Sequence, residues 1–378
     1  MTGGKIEAGW FAVAGNGNYK TQNSIINITD GELISTADYA VYLPQSGTTT
    51  ISGGKVYGAA GGVCIQRGTL NVEGTALITS KGTGSTGNWG DGTGGLDCAA
   101  INVSGAYGIA TVNIKGGTLI AEAKSLITEG TTYTPVINVT GGTFSDPSAL
   151  KYMATNATVD IKLLSNINIA KTELATGYIL NAANATANLN LNGHDIINSS
   201  ETADATPFTQ IFTVQNGTLN ISGNGNVKCD ASATAKDDGY RMVIEARGYG
   251  TVNIHGGSYY NTQKLNTQID LIYARENGKI NIYGGTFESG KYGTPNNDTD
   301  GRYWVLNLKN TDKNTASIQV SGGTFINFNP ANPNMDDNES YLVTGYEVTR
   351  DGSVYTAAHK VGDGRKEYIV GQTSQENR

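Results

Sequence analysis

The chain is short of charge, proline, cysteine and histidine, and each shortage removes a class of protein. Charged residues make up 16% of its 378 positions. With 26 Lys and Arg against 33 Asp and Glu, the formal net charge is −7. No Lys/Arg cluster is present to displace the counterions of a phosphate backbone, so nucleic acid is not expected as a partner. Cys64, Cys98 and Cys229 form an odd count without metal-ligand spacing. They are expected as small apolar fillers of the interior, not as a metal site or disulfide frame. His194 and His359 stand isolated and read as structural or solvent-facing. No apolar run approaches the roughly 20 residues needed to cross a bilayer, and Met-Thr-Gly-Gly-Lys at the start lacks the charged and apolar segments of a secretory signal. Neither membrane insertion nor a metal or cofactor is expected.

Glycine, by contrast, is abundant, with 51 residues against 7 prolines, and 20 tyrosines outnumber 7 phenylalanines. Such a mixture suits short strands joined by tight turns. One phrase accounts for much of it. Val136-Ile-Asn-Val-Thr-Gly-Gly-Thr-Phe144 recurs at Val112–Leu119, Val252–Tyr259, Ile280–Phe287 and Ile318–Phe325. In each copy β-branched residues flank an Asn or Gln, so the aliphatic pair shares one face of a strand and the amide points to the other. A Gly pair follows, which tolerates positive φ and close backbone approach, so the chain turns there before a second short strand. Further copies lie at Ile26–Gly31, Thr49–Gly54 and Leu70–Gly74, whose turn glycines at 31, 53 and 74 are 22 and 21 residues apart. That period predicts a β-solenoid, with additional strands at Tyr39–Leu43, Val63–Ile65, Ser125–Ile127, Arg241–Ile244, Asp270–Tyr273 and Tyr303–Leu306. The Gly- and Thr-rich stretch 82–95 reads as an excursion loop.

After Phe144-Ser-Asp-Pro-Ser148 a second wording begins. "Leu-Leu-Ser-Asn-Ile" at 163–167 is followed by "Leu-Asn-Leu-Asn-Gly-His-Asp-Ile" at 189–196, "Gly-Thr-Leu-Asn-Ile-Ser-Gly" at 217–223, and then several Gly-Gly-Thr-Phe turns. This order resembles the right-handed β-helix repeat modules of bacterial surface proteins and of some bacteriophages of gut bacteria, which share the coil of the pectate-lyase-like superfamily. The resemblance covers nearly the whole chain and rests on structural motifs. It implies an all-β fold, a right-handed parallel β-helix of about twelve coils. It also implies that 151–358 is one complete module and that 1–150 is the latter part of a preceding one; residues 359–378, polar and ending Ser-Gln-Glu-Asn-Arg, read as a tail.

Stacking of equivalent positions predicts an inward column of Ile26/Ile28, Val112/Ile114, Val136 or Ile137 with Val139, Val252/Ile254, Ile280/Ile282 and Ile318/Val320. Outside the same strands an amide column is expected at Asn27, Asn71, Asn113, Asn138, Asn190, Asn220, Asn253, Asn281 and Gln319, with register-fixing as its role. Gly3-Gly4-Lys5-Ile6 carries the Gly pair without the strand that should precede it. An uncovered coil end is a bare sheet edge, so a homo-oligomer mate, a virion partner or an upstream segment is expected there.

Function in repeat proteins concentrates on stacked loops. The variable loops 199–210, 230–240, 261–268, 288–302 and 327–340 are expected side by side along one edge. Aromatic rings next to amides and carboxylates suit saccharides, so the candidate ligand-binding residues are Tyr259, Tyr260, Tyr292, Asp298, Asp300, Arg302, Tyr303 and Trp304. No catalytic residue is assigned. Asp298-Thr-Asp-Gly301 resembles one polygalacturonase motif, but Asp237–Asp238 precedes it instead of following it, and the Arg-x-Lys of that family is missing. The reading is therefore a non-enzymatic structural and adhesive rod, extracellular, on a virion or bacterial cell surface, with a glycan or surface receptor as partner. A polysaccharide lyase or glycoside hydrolase on the same coil is the alternative.

Overall fold

A computed structural model describes residues 1–15, 23–82, 98–122, 125–130, 132–169, 177–198, 208–229, 240–261, 269–289, 303–333 and 339–360. The described chain is nearly all strand, in stacked parallel sheets compatible with a β-helix. From Asp30 onward the chain visits three sheets in rotation: Asp30–Ser35, Tyr39–Leu43 and Gly47–Ile51 are followed by Lys55–Gly58, Gly61–Ile65 and Gly68–Val72 in the same order. The first of these sheets has 14 strands and runs from Thr2–Ala8 to Tyr303–Leu308; the other two have 5 strands each. All six additional strands expected from the sequence form, Tyr39–Leu43 with the bounds foreseen.

The two glycines of each turn answer to different constraints. The second lies at positive φ, from 74° at Gly54 to 114° at Gly142, a region that strains any residue with a Cβ. The first approaches the preceding repeat, and a Cβ on Gly284 would lie 2.7 Å from the carbonyl oxygen of His255.

Register is kept from repeat to repeat, so equivalent side chains sit one above another. In the long sheet one such file passes through Ile6, Leu33, Val56, Ile78, Leu119, Phe144, Ile161, Leu189, Ile221, Ile254, Ile282 and Val320. All but Ile6 are buried, and they belong to a single core cluster extending from Ile28 to Ala357. Of the alternatives left by the sequence at 136–137, Ile137 takes the place opposite Val112, and Val136 is exposed. Cys229 lies in this core. Cys64 and Cys98 instead join Tyr39 and Tyr42 in a satellite cluster.

At Phe144–Thr158 the repeated phrase changes sheets. Before this point its aliphatic pair lies in a five-stranded sheet (Val112 and Ile114) and its Thr-Leu in the long sheet. Afterwards the aliphatic pair lies in the long sheet, while Thr-Phe or Ser-Tyr joins an eight-stranded sheet built on Ile167–Ile169. A 3-10 segment, Pro147–Tyr152, fills the step. It is started by Asp146, whose side chain accepts from the Ser148 N–H, and it ends with Met153 bridged to Val139. Lys151 Nζ and Tyr152 OH both donate to Glu129 Oε1 at 2.5 Å, tying the segment to the last strand of the other five-stranded sheet.

The eight-stranded sheet stacks Tyr259, Phe287 and Phe325, each fully buried, with centroids 5.0 Å apart and planes within 15°. It closes with a change of direction. Val354–His359 pairs antiparallel to Thr324–Ile326 and forms a hairpin with Tyr346–Asp351. Of the tail expected at 359–378, 361–378 lies outside the described residues. At the other end Thr2–Ala8 pairs on one side only among the described residues, and Ile6, Trp10 and Ile25 are exposed.

Phe287→Ala removes the middle ring of the stack and leaves a cavity between two rings, so roughly 3–5 kcal/mol of stability should be lost. Denaturant unfolding measures it, and Phe287→Leu should lose clearly less. A second expectation concerns acid. Burial raises the pKa of Glu129, but the bonds from Lys151 and Tyr152 outweigh it and the net value lies below the usual 4.5. A depressed carboxylate adds stability above its unfolded pKa and loses it as the pH falls through the folded value. The melting-temperature gap between wild type and Glu129→Gln should therefore be widest near about pH 7 and close toward about pH 3. Because the Glu129 side chain is 31% exposed, solvent screening keeps that gap small.

Candidate functional site

The loops of the second half leave and re-enter the sheets at registered places. Asn198, Cys229, Asn261 and Ser289 are paired in succession at the end of the eight-stranded sheet. On the return, Phe208 is opposite Tyr240, and Arg241, Ile269 and Tyr303 are paired in succession. The points of departure and return of the intervening loops therefore form two files along one flank, as the stacking of loops requires.

Of the eight candidate binding residues, Tyr292, Asp298, Asp300 and Arg302 lie outside the described residues. Tyr260 is half-buried in the strand Ser258–Asn261, opposite Lys228 and Glu288. Tyr303 opens the strand Tyr303–Leu308, and Trp304, half-buried, is opposite Asp270. Tyr259 belongs to the interior instead of the loop edge. Its ring lies on Phe287, its hydroxyl donates to the Gly256 carbonyl, and burial pushes its pKa far up. Its place follows from strand parity, since in Ser258–Asn261 residues 259 and 261 face inward and 260 does not.

Next to the loop anchors the long sheet buries a polar network. Glu245, 1% exposed, accepts from Arg275 Nε at 2.6 Å and from Gln210 Nε2 at 3.0 Å. Thr213 in turn donates to Gln210 Oε1 at 2.7 Å. Burial opposes the charge on Arg275, but the bond to Glu245 and the carboxylate's attraction leave its pKa raised. One repeat on, Asp270 accepts from Asn307 Nδ2 at 2.9 Å. Burial first, then the charge of Asp270, pushes the Tyr273 phenol up to about 12. These partners satisfy one another, and a buried charge so paired holds neighbouring strands in one arrangement. Sequence reasoning missed Glu245, Gln210 and Arg275 because no copy of the phrase contains them.

The outward face of the repeats carries amide ladders. Asn138 donates to Asn113 and Asn113 to Asn71, both at 3.0 Å. In the second half Asn281 donates to Asn253, Asn253 to Asn220 and Asn220 to Asn188, each at 2.8 Å, and Asn188 to Asp160 at 2.9 Å. The sequence foresaw one column with Asn190 in it. There are two, on different sheets, because the phrase changes sheets at 144–158, and the second contains Asn188 where Asn190 was expected. Asn188, Asn190 and Asn192 alternate with other residues, so a period of two alone cannot choose among them.

Beside the second ladder two rings stack. His255 and Tyr283 lie 4.8 Å apart with planes 10° from parallel, and both are exposed. The sequence marks them as equivalent positions of the phrase, shared with Lys115 and Ser321. The copies at Val252 and Ile280 follow one another directly in the sequence, which is the signal that predicts the stack.

No protein-family model, curated protein or solved structure matches the chain.

Asn220→Ala interrupts the second ladder, removing one donated and one accepted bond. At about 0.5–1.5 kcal/mol per bond, chemical denaturation should show a loss of about 1–3 kcal/mol with the strand content by circular dichroism unchanged.

Proposed function

We propose that the chain is a right-handed parallel β-helix of about twelve coils serving as a non-enzymatic structural and adhesive rod, extracellular, on a virion or bacterial cell surface. Its ligand is a glycan or surface receptor, bound along the edge from which the stacked loops emerge. The observation that carries this reading is the registered file Asn198, Cys229, Asn261 and Ser289, with its counterpart on the return strands. Anchors stacked in this way line successive loops up on one flank, and a row of loops on a rigid support is a surface for an extended ligand. The long file of buried residues from Leu33 to Val320 supports the coil. Exposed Ile6, Trp10 and Ile25 support a homo-oligomer or virion partner over the first repeat. The fully partnered state of Glu245 and Arg275 favours support over catalysis at the anchors.

Incubation with pectic and host-type glycans tests the proposal. Retention of the glycans with their chain length unchanged is the expected result. Cleavage that Asp300→Ala abolishes would replace the rod with a lyase or hydrolase, and neither retention nor cleavage would leave a spacer without a glycan ligand.

A further inference from the structure

We propose that the ladder face, at Tyr283, seats one neutral pyranose ring. The proposal rests on the saccharide-binding reading above but moves a contact from the loop edge to the flat side of the long sheet.

The rings of His255 and Tyr283 stack on each other in neighbouring repeats, so each turns one face to its partner and the other away from it. Tyr283 remains 50% exposed although His255 covers one side. Its second face opens toward the next repeat, where the equivalent residue is Ser321, brought alongside by the bond from Ser321 N to the Ile282 carbonyl. Serine fills little of the space a ring would occupy, and its hydroxyl is turned back to that same carbonyl at 3.3 Å. A shelf one strand spacing deep, about 4.8 Å, is left over an aromatic face. That depth suits a sugar ring lying on its C–H face, since such a face is apolar and packs on the negative face of an aromatic ring.

Polar partners flank the shelf. The amide ladder donates toward lower residue numbers and its last member is Asn281, whose Oδ1 receives no bond among the described residues. Gln319, opposite Asn281 in register, is exposed and makes no ladder bond among the described residues. An acceptor and a movable amide thus stand beside the open face of Tyr283, where the hydroxyls of a stacked sugar would point. Among the outward residues of the two strands only Lys279 is charged, and it lies four positions before Tyr283, on the order of 13 Å along the strand; with no charged side chain of these strands beside the open face, a neutral sugar is favoured.

Affinity electrophoresis in gels containing dextran, mannan, galactan or xyloglucan tests this. Wild type should be retarded by at least one of them. Tyr283→Ala should bind about tenfold more weakly, the loss of one ring contact, while Tyr283→Phe should bind as wild type does. Ser321→Phe should place a third ring on Tyr283, abolishing retardation while the melting temperature holds or rises. If wild type is retarded, and Tyr283→Ala or Ser321→Phe is retarded equally, the seat is overturned and the loop edge stands as the contact. If none of the four polysaccharides retards wild type, the seat is overturned, while the glycan reading on which it rests falls only if pectic and host-type glycans are not retained either.

Discussion

In-register parallel pairing of successive repeats is the constraint on which the molecule depends. When a strand pairs with its own equivalent one repeat later, every side chain meets its counterpart, and like stacks on like. Aliphatic residues become the file from Leu33 to Val320. Rings become the Tyr259, Phe287 and Phe325 stack, and amides become hydrogen-bonded ladders. Glycine recurs at each corner because the backbones must pass one another there. One five-stranded sheet is buried on its second face as well, where Tyr39, Tyr42, Cys64 and Cys98 form the satellite cluster.

Much of this was legible because the phrase encodes both a period of two and a corner. The strands, the inward residues Ile114, Ile254, Ile282 and Val320, and the outward amides follow from alternation alone. What alternation cannot reveal is which sheet a copy joins. The phrase at Val136 and the phrase at Val252 read alike, yet their aliphatic pairs lie in different sheets because the 3-10 segment at 147–152 intervenes. The same limit misassigned Asn190, whereas Tyr259, expected at the loop edge, was within reach of alternation, since parity within Ser258–Asn261 turns it inward. The network of Glu245, Gln210 and Arg275 was illegible for another reason. It joins positions 30 and 35 residues apart that share no motif, and only the register brings them together.

Energetically the protein has a core without a centre. Each repeat buries its apolar residues chiefly against the repeats before and after it, so stability accumulates from neighbour to neighbour. The step at 144–158 interrupts two sheets but not the long one, whose file passes through Phe144 to Ile161 without a break. There the bond from the Ser148 N–H to Asp146 and the bonds from Lys151 and Tyr152 to Glu129 take over the work that regular pairing does elsewhere.

The amide ladder of the second half runs one way. From Asn281 to Asn188 every side chain donates to the member before it, and the last donation falls on the carboxylate of Asp160. Amide dipoles so aligned reinforce one another, their positive ends all directed at a negative group. The flank of the sheet is thus electrically polarised along its length, as a helix is along its axis, and it meets an approaching polar molecule differently from its two ends.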